Sequence, residues 1–247
     1  MFKQLCRILP LLLVIPLQAA HADDAMDVVE AKLRTLAPSA TTIAISETPV
    51  AGLLQAQINS DIVYISSDGQ YLVQGTLFDI DARINLTDQA QSDVRRVLLN
   101  DLDDPRGILF SPEGETVHSL LVFTDIDCGY CRKLHEEMAE YAEKGIEINY
   151  LAYPRAGIGS ESYDKFVSVW CADDQQAALT SAKAGLNPEP RQCDNPVMEQ
   201  FELGQRLGVT GTPALITSDG TLIPGYMQPE MLRARLDILA AERTAAA

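Results

Sequence analysis

The chain holds 247 residues, enough for one large domain or two small ones. Acidic side chains outnumber basic ones 35 to 19, for a net charge of −16. That surplus repels nucleic acid phosphates, which excludes nucleic acid as a partner, and it favours solubility without fixing a fold.

The first residues have the pattern of a secretory signal. Lys3 and Arg7 give a positive start, Ile8 to Leu17 is an apolar run interrupted by Pro10 and Pro16, and Ala20-His21-Ala22 supplies small residues for a peptidase. The run is too short to span a bilayer comfortably. Residues 1–22 are therefore expected to be removed after Ala22, and Cys6 with them. No later segment is apolar enough to cross a membrane. An exported chain meets an oxidising compartment, where disulfides persist. Four cysteines remain there, Cys128, Cys131, Cys171 and Cys193, and they allow three pairings.

Residues 23–83 read as one helix and a small antiparallel sheet. Met26, Val29, Leu33 and Leu36 mark one helical face, which Pro38 ends. Thr41–Thr48 is rich in β-branched residues. Leu53–Ile58 and Ile62–Ser66 flank the turn Asn59-Ser60-Asp61, and Asp68-Gly69 leads into Tyr71–Phe78 as a hairpin. A unit this small buries little surface and leaves strand edges uncovered, and self-association remedies both. Residues 84–107 read as a linker. Thr87 is placed to cap a helix from Asp88 to about Leu102, with a narrow apolar stripe at Val94, Val97, Leu98 and Leu102. Asp103-Asp104-Pro105 stops it.

Residues 108–247 form the last segment. Gly107–Phe110 and Val117–Phe123 read as strands, and the second runs into Cys128-Gly129-Tyr130-Cys131. Cys131, Leu134, Met138 and Tyr141 then share a helical face that Gly145 closes. Ile146–Tyr153 is another strand. Ser160 to about Gly204 is mostly helical, with a proline-rich loop at Asn187–Pro196. Ala214–Thr217 and Thr221–Ile223 make a hairpin through Asp219-Gly220, and a helix from Pro229 carries Met231, Leu232, Leu236 and Leu239.

The C-x-x-C pair carries the chemistry. A cysteine at a helix start faces unpaired backbone N–H groups and the positive end of the helix dipole, and both favour thiolate. Thiols so placed have a pKa of about 3.5–7.5, against about 8.5 for free cysteine. Cys128 is therefore the candidate nucleophile. Cys131, one turn inside, is the candidate resolving thiol. Gly129 admits a substrate chain, and Tyr130 offers a contact surface. A zinc site needs four ligands, and Cys171 and Cys193 are too far apart for the usual second knuckle, so no metal and no cofactor is expected. A purely structural 128–131 bridge would close too small a loop to stabilise much. Gly211-Thr212-Pro213-Ala214 lies at a strand start. A cis Thr212–Pro213 bond there would present the Thr212 backbone for main-chain pairing with a substrate strand, whereas a trans bond would make it an ordinary strand start.

Phe123-Thr124-Asp125-Ile126 before the cysteine pair and Lys133-Leu134-His135-Glu136 after it resemble the DsbC family of periplasmic disulfide isomerases. Tyr150-Leu151-Ala152-Tyr153-Pro154-Arg155, Trp170-Cys171-Ala172, Cys193-Asp194, Leu207 to Ala214 and Pro224-Gly225-Tyr226 carry the likeness onward. Pro49-Val50-Ala51-Gly52 and Tyr64-Ile65 extend it to the amino-terminal segment. The resemblance implies a mixed α+β and α/β chain: a thioredoxin-like catalytic domain with a helical insertion at 108–247, behind a small antiparallel α+β dimerisation domain at 23–83 and a linker helix. It implies a cis Thr212–Pro213 bond and a structural disulfide Cys171–Cys193, which the loop-entropy account values at about 3 kcal/mol. It implies a V-shaped periplasmic homodimer with chaperone activity, whose dithiol a membrane thiol reductant keeps reduced and whose substrates are misoxidised exported proteins. The local motif alone leaves a dithiol oxidase or reductase open, because direction depends on redox partners. A non-enzymatic chaperone is the third reading.

One residue departs from the family pattern. Asp127 stands directly before Cys128, where threonine is expected, and a carboxylate there opposes thiolate formation. Arg132 offsets part of that charge, and the net expectation is a Cys128 pKa above that of threonine-bearing relatives. His135, four residues after Cys131, is expected either to tune the site or to sit as a solvated helix residue.

Overall fold

The computed structural model describes residues 19–102 and 106–246. Most of the expected signal segment, with Cys6, lies outside the described residues, as does the Asp103-Asp104-Pro105 stop. The chain divides into two compact units, Met1–Gly75 and Thr76–Ala247.

In the first unit, α1 (Ala19–Leu36) lies on a four-stranded antiparallel meander of β1 (Ile43–Glu47), β2 (Leu53–Ile58), β3 (Asp61–Ser66) and β4 (Leu72–Val73), in the order β1-β2-β3-β4. The helix ends two residues before Pro38, as the steric demand of a proline on its predecessor requires. Its buried face, Val29 and Leu33, meets Leu54, Ala56, Val63 and Ile65 of the sheet. Asn59 turns the β2–β3 hairpin at φ 55°, and its side-chain oxygen accepts from the Thr41 amide at 2.9 Å. Lys32 ties the helix to the next hairpin by donating to the Asp68 carbonyl at 2.8 Å. β4 has two residues, where Tyr71–Phe78 was expected as a strand. Gly75 follows Val73 closely, and glycine weakens a strand by adding backbone freedom and no packing. Tyr71, Leu72 and Val73 are exposed along this edge.

The boundary falls eight residues before the expected end of the first domain at 83. Hydrogen bonds give the reason: the Leu77 amide donates to the Thr87 hydroxyl at 2.8 Å, and the Leu86 amide to the Leu77 carbonyl at 2.9 Å. These fasten the small ribbon β5 (Phe78–Asp79) and β6 (Ile84–Asn85) to α2 (Leu86–Asn100). The cap of α2 is Asn85, whose side chain accepts from the Thr87 and Asp88 amides, each at 3.1 Å; the expected cap, Thr87, is buried in the first turn. The region read as a linker is packed on the second unit. Arg95 donates to the carbonyls of Leu207 and Gly220, and Leu98, Leu99 and Leu102 cover the cluster around Phe123, Leu151 and Tyr153. At Gly220, φ +84°, a Cβ would overlap the Ser92 carbonyl of α2, so this docking requires glycine.

The second unit is built on a five-stranded sheet of order β11-β10-β8-β9-β7. Its strands are β7 (Ile108–Phe110), β8 (His118–Thr124), β9 (Ile146–Ala152), β10 (Ala214–Thr217) and β11 (Leu222–Pro224). Only β8 and β9 pair in parallel. Helices α3 (Gly129–Glu136) and α4 (Met138–Glu143) connect β8 to β9, where one helix was expected; the chain breaks at Glu137. Three helices, α5 (Glu161–Trp170), α6 (Gln175–Lys183) and α7 (Val197–Arg206), intervene before β10, and α8 (Pro229–Ala246) closes the unit. Leu120, Val122 and Phe123 of central β8 are 0–1% exposed, the signature of a strand covered on both faces. Cys171, at the end of α5, forms a disulfide with Cys193 in the loop before α7.

Leu33 is 1% exposed at the centre of the first unit's core. Leu33→Ala is expected to destabilise that unit by about 2–5 kcal/mol through lost burial and a residual cavity. Urea unfolding followed by circular dichroism measures it, and an unchanged midpoint contradicts the packing described.

Candidate redox-active site

Buried strand β8 delivers Thr124-Asp125-Ile126-Asp127 to the mouth of α3. Cys128 is the N-cap residue of that helix, at φ −82° and ψ 121°, and its sulfur accepts the Cys131 amide at 3.4 Å. An amide that would otherwise lack a helical partner thus points at the sulfur. Both cysteines are free. On the far side, Cys128 donates to the Thr212 carbonyl at 3.3 Å, and the Thr212–Pro213 bond is cis. The Thr212 hydroxyl is buried beside the two sulfurs and favours the ionised form of each. Cys128 is the more accessible thiol, as expected, but at 4% exposed against 0% for Cys131 it is more enclosed than the open helix start predicted. The Thr212 segment covers it. Gly129 and Tyr130 beside it are exposed, and nothing crowds the Gly129 Cα.

The two thiols are pushed in opposite directions. Burial resists ionisation of Cys128, but hydrogen bonds from the Cys131 thiol, Thr212 and the Cys131 amide, with the Arg155 charge, outweigh it; its pKa falls below that of an ordinary thiol. For Cys131 burial prevails over the attraction of Lys183, and its pKa rises. The helix mouth therefore favours thiolate at Cys128 and thiol at Cys131.

Asp125, quoted in the family motif but given no role from sequence, proves to be the keystone of the loop. It is 3% exposed, yet its carboxylate accepts the Asp127 amide at 2.8 Å, the Arg155 amide at 2.9 Å, Arg155 Nε at 3.2 Å and the Ser162 hydroxyl at 2.7 Å. Burial raises its pKa, and these donors more than reverse that, leaving it below the usual value. One ionised group thus fastens the loop before Cys128 to the end of β9 and to α5. It also sets Arg155 where its charge reaches the Cys128 sulfur. Arg155, quoted in the family motif, was given no role from sequence, and Ser162 was not singled out. Their contribution depends on chain crossings that spacing does not encode.

Asp127 is held by two cations. Its carboxylate receives Arg132 Nη2 at 3.2 Å and Lys165 Nζ at 3.1 Å. Arg132 also donates to the Ile126 carbonyl at 3.0 Å. The negative charge expected to burden Cys128 is thus matched by Arg132 and by Lys165 of α5, which the sequence did not reveal. The groups acting most on the sulfur are Cys131, Thr212 and Arg155 rather than Asp127. His135 is buried rather than solvated. Its Nε2 lies 2.9 Å from the Thr180 hydroxyl and its Nδ1 3.4 Å from the Tyr150 hydroxyl. Thr180 donates its own proton to the Gln176 carbonyl at 2.8 Å, so His135 carries its proton on Nε2. Burial, then the nearby Lys183 charge, lowers its pKa to about 4. On the outer face Tyr130, 66% exposed, stacks on Tyr226 at 6.3 Å, with Lys133 Nζ 5.0 Å from the Tyr226 ring centre.

Two outcomes follow from this electrostatic arrangement. Iodoacetamide should alkylate Cys128 with a midpoint below the ordinary thiol value of about 8.5, and Arg155→Met should move that midpoint upward. Equal midpoints in both proteins would remove Arg155 from the site. His135 is neutral in the fold, whereas in the unfolded chain it takes a proton at about pH 6.5. The stability that follows from its depressed pKa is whole above pH 6.5 and drains away as pH falls toward about 4, by roughly 3 kcal/mol. Urea midpoints between pH 7 and 4 should lose this slope in His135→Phe.

Comparison with known proteins accounts for nearly the whole chain. Residues 109–240 match a family of thioredoxin-like domains, and residues 18–88 match the disulfide bond isomerase protein N-terminal domain. The thiol:disulfide interchange protein DsbC of Salmonella typhimurium is 38% identical over 88% of this chain and 89% of its own length. DsbC of Escherichia coli K12 is 39% identical over 78% of this chain and 80% of its own length. The crystal structure of a disulfide interchange protein from Neisseria gonorrhoeae is similar at 29% identity, covering 53% of this chain and 94% of that one, with a TM-score of 0.45. With a thioredoxin-like fold, a free dithiol at a helix mouth and this agreement along its length, the chain belongs to the DsbC family of thiol:disulfide interchange proteins.

Proposed function

We propose that the protein is a disulfide isomerase that corrects wrongly paired cystines in exported proteins, with Cys128 as nucleophile and Cys131 as resolving thiol. The observation that carries this reading is the opposed ionisation of two free thiols at the start of α3, beside the cis Thr212–Pro213 bond. The Cys128 thiolate attacks one sulfur of a client disulfide. A mixed disulfide forms, the client bond breaks, and its electron pair leaves on the second client sulfur. A different client thiolate then attacks the mixed disulfide, making a new client bond and freeing Cys128 with no net change of oxidation state. If that exchange stalls, Cys131 attacks Cys128 and releases the client reduced. The client strand pairs with the Thr212 backbone through main-chain bonds, which need no particular sequence. Its side chains lie across Gly129 and the Tyr130–Tyr226 stack.

The first unit joins two chains into a homodimer; its short exposed edge at Tyr71-Leu72-Val73 supports this reading. The exposed apolar surface of misfolded clients is held between the subunits, giving a chaperone activity. The protein works in the periplasm after cleavage behind Ala22. Among the described residues no helix is long and apolar enough to cross a membrane. A membrane-bound thiol donor returns the oxidised dithiol to its reduced form.

Refolding of a scrambled protein with several disulfides tests the assignment. Wild type should restore native pairing, Cys128→Ala should not, and sedimentation should show a dimer. Trapping thiols in the cell should find Cys128 and Cys131 predominantly reduced. A predominantly oxidised pair would point to an oxidase, and full client maturation with Cys128→Ala would point to a holding chaperone.

A further inference from the structure

The interchange chemistry leaves a buried cation beneath the dithiol without a task. Lys183, the last residue of α6, is 3% exposed, a depth at which lysine is rarely found without a paired anion. Its ammonium donates to the hydroxyl of Thr124, a residue that is itself 0% exposed, at 2.8 Å and lies 5.2 Å from the centre of the Tyr150 ring. Among the described residues no carboxylate forms an ion pair with it. Cys131, Cys128 and Asp125 act on it as negative groups, in that order, and Arg132 as a positive one. On the remaining side stand His135 and Tyr150. His135 is kept neutral by burial, and the Tyr150 phenol, pushed well above its usual pKa by burial, is neutral too. Asp125 already accepts four hydrogen bonds from other donors. The anion left for Lys183 is a thiolate, and of the two sulfurs Cys131 acts on it more strongly.

We propose that Lys183 is a positioning residue for the resolving step, the buried counter-charge that lets Cys131 exist as a thiolate inside the protein. The inference rests on the interchange reading and goes beyond it, because Cys131 is otherwise disfavoured as an anion by its burial. In the resolving step the Cys131 thiol loses its proton to water, and the thiolate that forms faces the Lys183 ammonium. It attacks the Cys128 sulfur of the mixed disulfide. The Cys128–Cys131 bond forms, the bond from Cys128 to the client sulfur breaks, and its electron pair leaves on the client thiolate, which water protonates. The client sulfur is reduced and the dithiol oxidised. The oxidised pair presents no negative charge. A buried ammonium without a counter-ion is costly, so Lys183 then loses its proton. Burial already holds its pKa down at about 8. The choice between waiting for a client thiol and releasing the client reduced is thus set from α6, an element outside the cysteine motif.

The test mixes reduced protein with oxidised glutathione and follows two phases across pH: formation of the Cys128–glutathione disulfide, then release of glutathione by Cys131. Lys183→Met should slow the second phase about tenfold or more at pH 7 and move its profile upward by about one pH unit. The first phase should change less. Lys183→Arg, which keeps the charge, should recover part of the lost rate. A folded Lys183→Met protein with the wild-type second phase and profile overturns the inference. Should that variant fail to fold, ¹⁵N NMR of the Lys183 ammonium in wild type decides. Its pKa must be higher with the dithiol reduced than oxidised, and the same titration in both forms overturns the idea. Failure of wild type to form any glutathione disulfide would instead strike at the interchange reading itself.

Discussion

Two thiols three residues apart at a helix start cannot occupy equivalent environments. One stands at the mouth, where amides lack partners, and the other stands a turn inside, among side chains. In this protein the amide of Cys131 is the donor to Cys128, so the inner residue supplies part of the field that ionises the outer one. The arrangement holds only if the mouth of α3 keeps its position against the cis Thr212 segment and the end of β9. Much of the second unit serves that requirement: β8 is buried on both faces, and β9 and β10 flank it.

Burying charge to achieve this is costly, and the structure meets the cost with hydrogen bonds in one place and with distributed charge in another. Asp125 is enclosed and ionised because four donors converge on it. Asp127, at the surface, shares Arg132 and Lys165. The first is a rigid clamp and the second an exposed, salt-screened cluster, so they contribute differently: Asp125 fixes geometry, while Asp127 mainly balances the charge its neighbours bring. His135 adds a third solution, staying neutral inside the core with both nitrogens engaged.

The parts of this design that are local in sequence were legible in advance. Strand, C-x-x-C and helix follow one another within about twenty residues, and apolar periodicity located β8, α3 and β9 closely. The cis bond and the Cys171–Cys193 pairing came from family likeness, since neither is fixed by spacing. What escaped was contributed from far along the chain. Arg155 reaches the site from just beyond β9, and Ser162 and Lys165 reach it because α5 folds back over it. The attachment of α2 was not foreseen: its narrow apolar stripe suggested a helix bridging two bodies, and Arg95 and the close approach at Gly220 fasten it to the second unit. A stripe counts only apolar residues, and this attachment depends on a guanidinium and a missing methyl group. His135 was expected either to tune the site or to sit as a solvated helix residue; Thr180 and Tyr150, which engage it inside the fold, belong to other elements.

The second cysteine pair is a formed cystine, whereas the first is a free dithiol. Cys193 lies exposed in its loop, whereas Cys128 and Cys131 are enclosed, so accessibility does not distinguish the free pair from the bonded one in the direction that reactivity requires. Cys171 is the C-cap of α5, at the negative pole of its helix, where a departing sulfur anion is poorly received. Cys128 occupies the opposite pole of α3 and departs readily. Helix polarity thus sets the two sulfurs apart, disfavouring an anion at Cys171 and favouring one at Cys128.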